Sequence, residues 1–208
     1  MYHGERLNSI THLTGAALSL VGLGALLTVS ISQQDPRMIV SFTIFGVTLV
    51  LLYTMSTLYH SFQPPNLKKI FRKLDHAAIY LLIAGSYAPY ALVSLKNSRG
   101  TMILIVVCTL AVVGLSLDLF MPKRQELLQI MIYLTMGWCC VIDYSSLEAS
   151  IPVNGFLWLK AGGLAYTGGV IFYLLDDHHH LPNAHGIWHL FVMAGSICTF
   201  ISIIGYVR

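Results

Sequence analysis

Apolar residues run along the chain in seven stretches long enough to cross a membrane as helices, separated by short polar breaks. The stretches are Ile10–Ile31, Met38–His60, Leu74–Leu95, Thr101–Met121, Leu127–Tyr144, Gly155–Leu175 and His185–Tyr206. A helical crossing takes about 20 predominantly apolar residues. The breaks carry turn chemistry: Gln33-Gln34-Asp35-Pro36-Arg37, Gln63-Pro64-Pro65-Asn66, Lys96-Asn97-Ser98-Arg99-Gly100, Pro122-Lys123-Arg124 and Leu181-Pro182-Asn183. Between the fifth and sixth stretches the break, from Ser145 to Asn154, is only moderately polar, so that boundary is the least defined.

Composition turns this pattern into a membrane reading. Hydrophobic residues make up 56% of the 208 and charged residues 10%, against about 25% charged in soluble domains. Such a chain lacks the charged surface of a soluble fold, whereas helices facing lipid satisfy their own backbone hydrogen bonds. The expectation is an all-α integral membrane protein of seven transmembrane helices, a single domain over residues 1–208. The first stretch is longer than a signal-peptide core and should remain as a span. Cys108, Cys139, Cys140 and Cys198 lie within apolar stretches without CxxC spacing, which points to packing and not to disulfides or thiolate metal sites.

Charge sets the expected orientation. Arg6, Lys68, Lys69, Arg72, Lys73, Lys123 and Arg124 fall on one face, and Arg37, Lys96, Arg99 and Arg208 on the other, a bias of seven to four. The positive-inside rule then places the amino terminus in the cytoplasm and the carboxyl terminus outside. A formal net charge of +3, with scattered basic residues, gives no nucleic-acid footprint. Lys160, Asp118 and Asp143 read as charges near the membrane interface.

In this topology His60, Asp75, His185 and His189 reach the same leaflet. His185 and His189 are four apart, one turn on one helix face, so both imidazoles can meet one metal ion. His60 closes the second stretch in Ser56-Thr57-Leu58-Tyr59-His60 and can add a third nitrogen. Three histidines leave the fourth tetrahedral position of zinc open to water. Asp75 can then orient a histidine or hold that water, and Ser56, one turn before His60, can hydrogen-bond the water or a substrate carbonyl. Each residue has an ordinary alternative: an interfacial histidine, a helix N-cap at Asp75, a serine bonded to its own backbone. Glu5, Asn8 and His12 open the first stretch at helical spacing, as a second polar shell or as a cap. The run Asp176-Asp177-His178-His179-His180 reads as a solvated loop, with an accessory metal contact as the lesser alternative. Tyr53, Tyr59, Tyr80, Tyr87, Tyr90 and Trp188 read as packing and interface aromatics.

Taken together, Glu5, Asn8 and His12, then Ser56-Thr57-Leu58-Tyr59-His60, Asp75, and His185-Gly186-Ile187-Trp188-His189 resemble the hemolysin III family. That family is the bacterial branch of the progestin and adipoQ receptor superfamily, and the resemblance covers essentially the whole chain. It implies seven helices with a cytoplasmic amino terminus, in a bacterial cell (inner) membrane. It implies Zn2+ on His60, His185 and His189, Asp75 beside the zinc water, and Ser56 as the motif serine.

The superfamily is similar in motif to alkaline ceramidases and other proposed membrane hydrolases. The resemblance therefore implies zinc-dependent hydrolysis of an amide or ester in an acyl lipid, within membrane lipid homeostasis. The alternative is a non-enzymatic, receptor-like regulator of membrane state whose zinc is structural. Transport is disfavoured, because no ionisable cluster sits at mid-membrane. Lysis by pore formation, which the family name suggests, is disfavoured by spans that are uniformly apolar and not amphipathic.

Overall fold

A computed structural model describes residues 4–121, 125–177 and 183–208, and these residues form helices and their connections, without strands. The helices are α1 (Arg6–Ser32), α2 (Pro36–Ser61), α3 (Pro65–Pro89), α4 (Gly100–Phe120), α5 (Glu126–Trp138), α6 (Tyr144–Ser150), α7 (Val153–Asp177) and α8 (Ala184–Tyr206). A π turn, Tyr90–Ser94, continues α3, and a 3-10 turn, Cys139–Asp143, joins α5 to α6. Lys123, Arg124 and His178 to His180 lie outside the described residues.

Local chemistry accounts for the helix ends. Asp35 caps α2 by accepting from the Arg37 N–H at 2.9 Å, with Pro36 in the first turn, where its missing N–H costs nothing. Pro65 starts α3 in the same way. Pro89 cannot donate to the helix ladder, and the backbone beyond it shifts to wider spacing, with the Leu95 N–H bonded to the Tyr90 carbonyl at 2.8 Å. Ile151-Pro152 stops α6, and α7 begins at the next residue.

Six helical segments among the described residues are long and apolar enough to cross a membrane: α1, α2, α3 with its π turn, α4, the continuous run Glu126–Ser150, and α8. Large apolar side chains face outward, including Val21, Ile105 and Phe120, the last 83% exposed. In water such a surface would be an aggregation hazard; against lipid it is the required one. This is a multi-pass membrane protein. The sixth stretch forms α7, a helix of 25 residues, but Lys160 and the glycines at 162, 163, 168 and 169 dilute its apolar run, and it is not one of the six.

Two boundaries differ from expectation. Helix α3 starts nine residues before Leu74, so Lys68, Lys69, Arg72 and Lys73 are helical and not in a loop. Lys and Arg are good helix formers, and hydropathy alone hides a helix that emerges from the apolar layer. The fifth span continues past Tyr144 through α6, which moves the uncertain boundary to Pro152.

Neighbouring helices pack in chain order from α1 to α4, and α8 closes against α1 and α7. Polar bridges fix α8: the Tyr53 hydroxyl donates to Ser196 at 2.7 Å, Tyr166 shares that serine at 2.8 Å, and Ser202 donates to the Gly155 carbonyl at 2.8 Å. Buried hydroxyls without partners would cost stability, so these bridges also set the register of α8 against α2 and α7. Gly186 sets the approach of α8 to α1, because a Cβ there would overlap Leu7.

Candidate metal centre

The C-terminal end of α2 and the N-terminal end of α8 meet at one end of the bundle, beside the first turn of α1. There His60, His185 and His189 form a nearly equilateral triangle, with ring centroids 5.0, 4.9 and 4.8 Å apart. One ligand nitrogen from each lies within 4.8 Å of the others. Around a tetrahedral zinc with bonds of about 2.0–2.1 Å, ligand nitrogens stand about 3.3 Å apart, so such an ion would need these nitrogens to close by up to about 1.5 Å.

The second nitrogen of each ring already has a partner. His60 Nδ1 meets Glu5 Oε2 at 2.7 Å, His185 Nδ1 meets Asp176 Oδ2 at 3.0 Å, and His189 Nδ1 meets the Asn8 carbonyl at 3.2 Å and the Thr11 hydroxyl at 3.3 Å. Carboxylates and carbonyls only accept, so each Nδ1 is the donor, and Nε2 is the atom each ring can offer a metal. This is the outer-shell arrangement that orients metal-binding imidazoles and raises their basicity. His60 Nε2 is buried without a hydrogen bond among the described residues, as a ligand atom facing a metal position would be. The donor set therefore suits a metal ion.

Glu5 anchors this shell. Besides His60, it accepts from the Asn8 amide at 2.8 Å and from Lys68 at 3.0 Å. Burial opposes its ionisation, but the hydrogen bond and charge of His60, with those two donors, hold its carboxyl well below the usual range. Although it stands at the cap position of α1, its side chain makes no cap bond. Asn8 thus serves Glu5 with its amide and His189 with its carbonyl. His12 lies flat on His189, with centroids 3.5 Å apart and planes 9° from parallel, and meets Tyr53 edge-on at 5.1 Å. Both His12 nitrogens are buried without hydrogen bonds among the described residues.

Ser56 and Asp75 line the cavity into which the triangle opens. Ser56 is 1% exposed and its Oγ has no partner among the described residues. Thr57, its neighbour, donates back to the Tyr53 carbonyl at 2.6 Å, so the self-bonded alternative holds for the threonine and not for the serine. Asp75 lies well inside α3, which excludes the N-cap alternative. The cavity encloses about 650 Å³ and reaches from His60 and His189 past Ile83 and Val192 to Phe156 and Lys160. Along α7, Asp176 and Lys160 are sixteen positions apart, about 24 Å of helix rise.

Sequence reasoning did not assign Asp176 to His185. Set in a run with three histidines, it reads as solvated loop, yet it occupies the last turn of α7 and holds His185. A carboxylate shortly before an HxxxH pair is the available signal, once one asks what each ligand's second nitrogen requires.

Comparisons with known proteins find relatives along nearly the whole chain. The family model described as Haemolysin-III related matches residues 1–200. The chain is 39% identical over 203 residues to Hemolysin-3 of Bacillus cereus, covering 98% of this chain and 91% of that protein. It is 42% identical over 202 residues to the Hemolysin-3 homolog of Bacillus subtilis (strain 168), covering 97% and 93%. A more distant relative is the Monocyte to macrophage differentiation factor of Homo sapiens, 29% identical over 168 residues, 78% of this chain and 68% of that protein. With helices apolar enough for lipid, a histidine triangle at one end, and a match along nearly its whole length, the chain belongs to the hemolysin III family.

Proposed function

We propose that the protein is a zinc-dependent hydrolase of an amide or ester bond in an acyl lipid, seated in the cell (inner) membrane with its amino terminus in the cytoplasm. The observation that supports this best is the opening of the histidine triangle into a long, largely apolar cavity. Its volume lies within the range of ligand pockets, about 300–1,000 Å³, and its length accommodates an acyl chain beside a polar reacting group.

The three histidines would hold the metal, with Glu5, Asp176 and the Asn8 carbonyl orienting their rings through Nδ1. Bound zinc supplies Lewis acidity and lowers the pKa of a water to about 7. Asp75, on the cavity wall, takes a proton from the attacking water and returns it to the leaving nitrogen or oxygen. Ser56 Oγ, free of any backbone bond, donates to the substrate carbonyl as charge develops on its oxygen. The apolar wall excludes bulk water and strengthens these interactions. A structural zinc site closes its coordination with four protein ligands. The three histidines match the catalytic pattern, in which water takes the fourth position.

The test is zinc-loaded protein incubated with a panel of ceramides, acyl amides and phospholipids, with released fatty acid quantified. Release by wild type and its loss in Asp75→Asn at unchanged zinc content is the expected result. Full zinc occupancy without fatty acid release across the panel overturns the hydrolase reading.

A further inference from the structure

A second cavity, of about 370 Å³, lies at the same end of the bundle, between α3, α4 and α5. Lys69, Arg72, Lys73, His76 and Tyr80 line it from one face of α3, at the three- and four-residue spacing that stacks side chains along a helix. The stripe that faces the metal cavity, Asp75, Ile79 and Ile83, is separate, although His76 and Gln129 border both spaces. Helix α3 thus divides a metal chamber from a cationic one.

Among the described residues, Lys69, Arg72 and Lys73 have no carboxylate within ion-pair distance. Asp118, on the opposite wall, is engaged by the Gln129 amide. Three exposed cations on one helix face against the one carboxylate among the described lining residues, Asp118, leave a net positive space that attracts an anion. The rim is apolar: Leu119, Phe120 and Met121 of the α4 end are exposed, as are Leu67, Ile70 and Leu74 on the neighbouring face of α3. A free anion has no use for such a rim, whereas a phosphate attached to acyl chains does.

We infer that this second cavity is a binding site for the phosphate headgroup of an anionic membrane lipid, held by Lys69, Arg72 and Lys73 with its chains along the α3 and α4 surface. Basic pockets between helices at a membrane face take anionic headgroups by the same physics, at about 1 kcal/mol per basic residue, or about five-fold in affinity. The site stands apart from the hydrolase reading and survives its failure.

The test is native mass spectrometry of the full chain released from nanodiscs of equimolar phosphatidylcholine and phosphatidylglycerol. Wild type should retain phosphatidylglycerol preferentially, and Lys69→Gln/Arg72→Gln/Lys73→Gln should lose the preference. Single Arg72→Gln, which changes one exposed side chain and keeps the test readable if the triple variant misfolds, should lower retention about five-fold. Arg37→Gln/Lys96→Gln/Arg99→Gln, which removes the same charge elsewhere, should retain lipid as wild type does. Unchanged retention in the α3 variants, equal loss in that control, or displacement of the lipid by millimolar inorganic phosphate would each overturn the assignment.

Discussion

Replacing Glu5 by glutamine tests whether the outer shell tunes the metal centre. The carboxylate accepts from His60 Nδ1 at 2.7 Å, Asn8 at 2.8 Å and Lys68 at 3.0 Å. The substituted amide keeps the shape and one acceptor but removes the charge. The largest loss falls on His60, because hydrogen bonds to charged groups contribute about 1.5–3 kcal/mol where neutral ones contribute about 1. The Lys68 pair adds little, since both side chains are partly solvated, 28% and 20% exposed. A net loss of about 0.5–2 kcal/mol corresponds to about 2- to 30-fold weaker metal binding, which overlaps the about 10- to 100-fold range typical of outer-shell changes. Zinc affinity measured by competition with a chromogenic chelator in detergent gives the readout. The melting temperature of the metal-free protein checks that the fold is intact. Affinity unchanged within about two-fold would refute the claim that Glu5 orients His60, and loss as complete as in His60→Ala would make Glu5 a ligand instead.

Ser56→Ala should reduce hydrolysis about 100-fold or more, as loss of an oxyanion donor does, while zinc content stays at the wild-type value; kinetics with paired metal analysis checks both. Gly186→Ala brings a methyl group against the half-exposed Leu7 side chain and within 3.2 Å of Asn8 Oδ1, a displacement that costs less than core overpacking, which is about 1–3 kcal/mol. It should lower thermal stability and weaken zinc together, with partial rescue by Leu7→Ala. In metal-free protein the depressed Glu5 carboxyl contributes stability that is fully present above its ordinary pKa of 4.5 and is lost as pH falls below it. Acid unfolding below that pH should therefore be less steep in Glu5→Gln, as followed by circular dichroism.

Much of this architecture is legible from residue order. Apolar run length finds the long helices because lipid leaves the backbone no partner but itself. The HxxxH spacing finds His185 and His189, and parity of helix direction brings His60 to the same end. What the pattern misses follows from its physics. Hydropathy cannot see the charged first turns of α3, since helix formation there depends on propensity and not on burial. Asp176 escapes because its role is fixed by a tertiary contact with a ring nine residues away across an intervening segment. The choice between cap and shell for Glu5 also depends on tertiary structure, on whether Lys68 and His60 come within reach of one carboxylate.

The central claim is that His60, His185 and His189 together hold one metal ion. Its most direct test is the zinc content, by inductively coupled plasma mass spectrometry, of purified wild type and of His60→Ala, His185→Ala and His189→Ala, each shown to be folded. The account predicts about one zinc per chain in wild type and near-complete loss in each variant, because two imidazoles leave too few of the protein ligands that zinc sites use. Zinc retained in all three variants, or absent from wild type even after loading with excess metal, would contradict it.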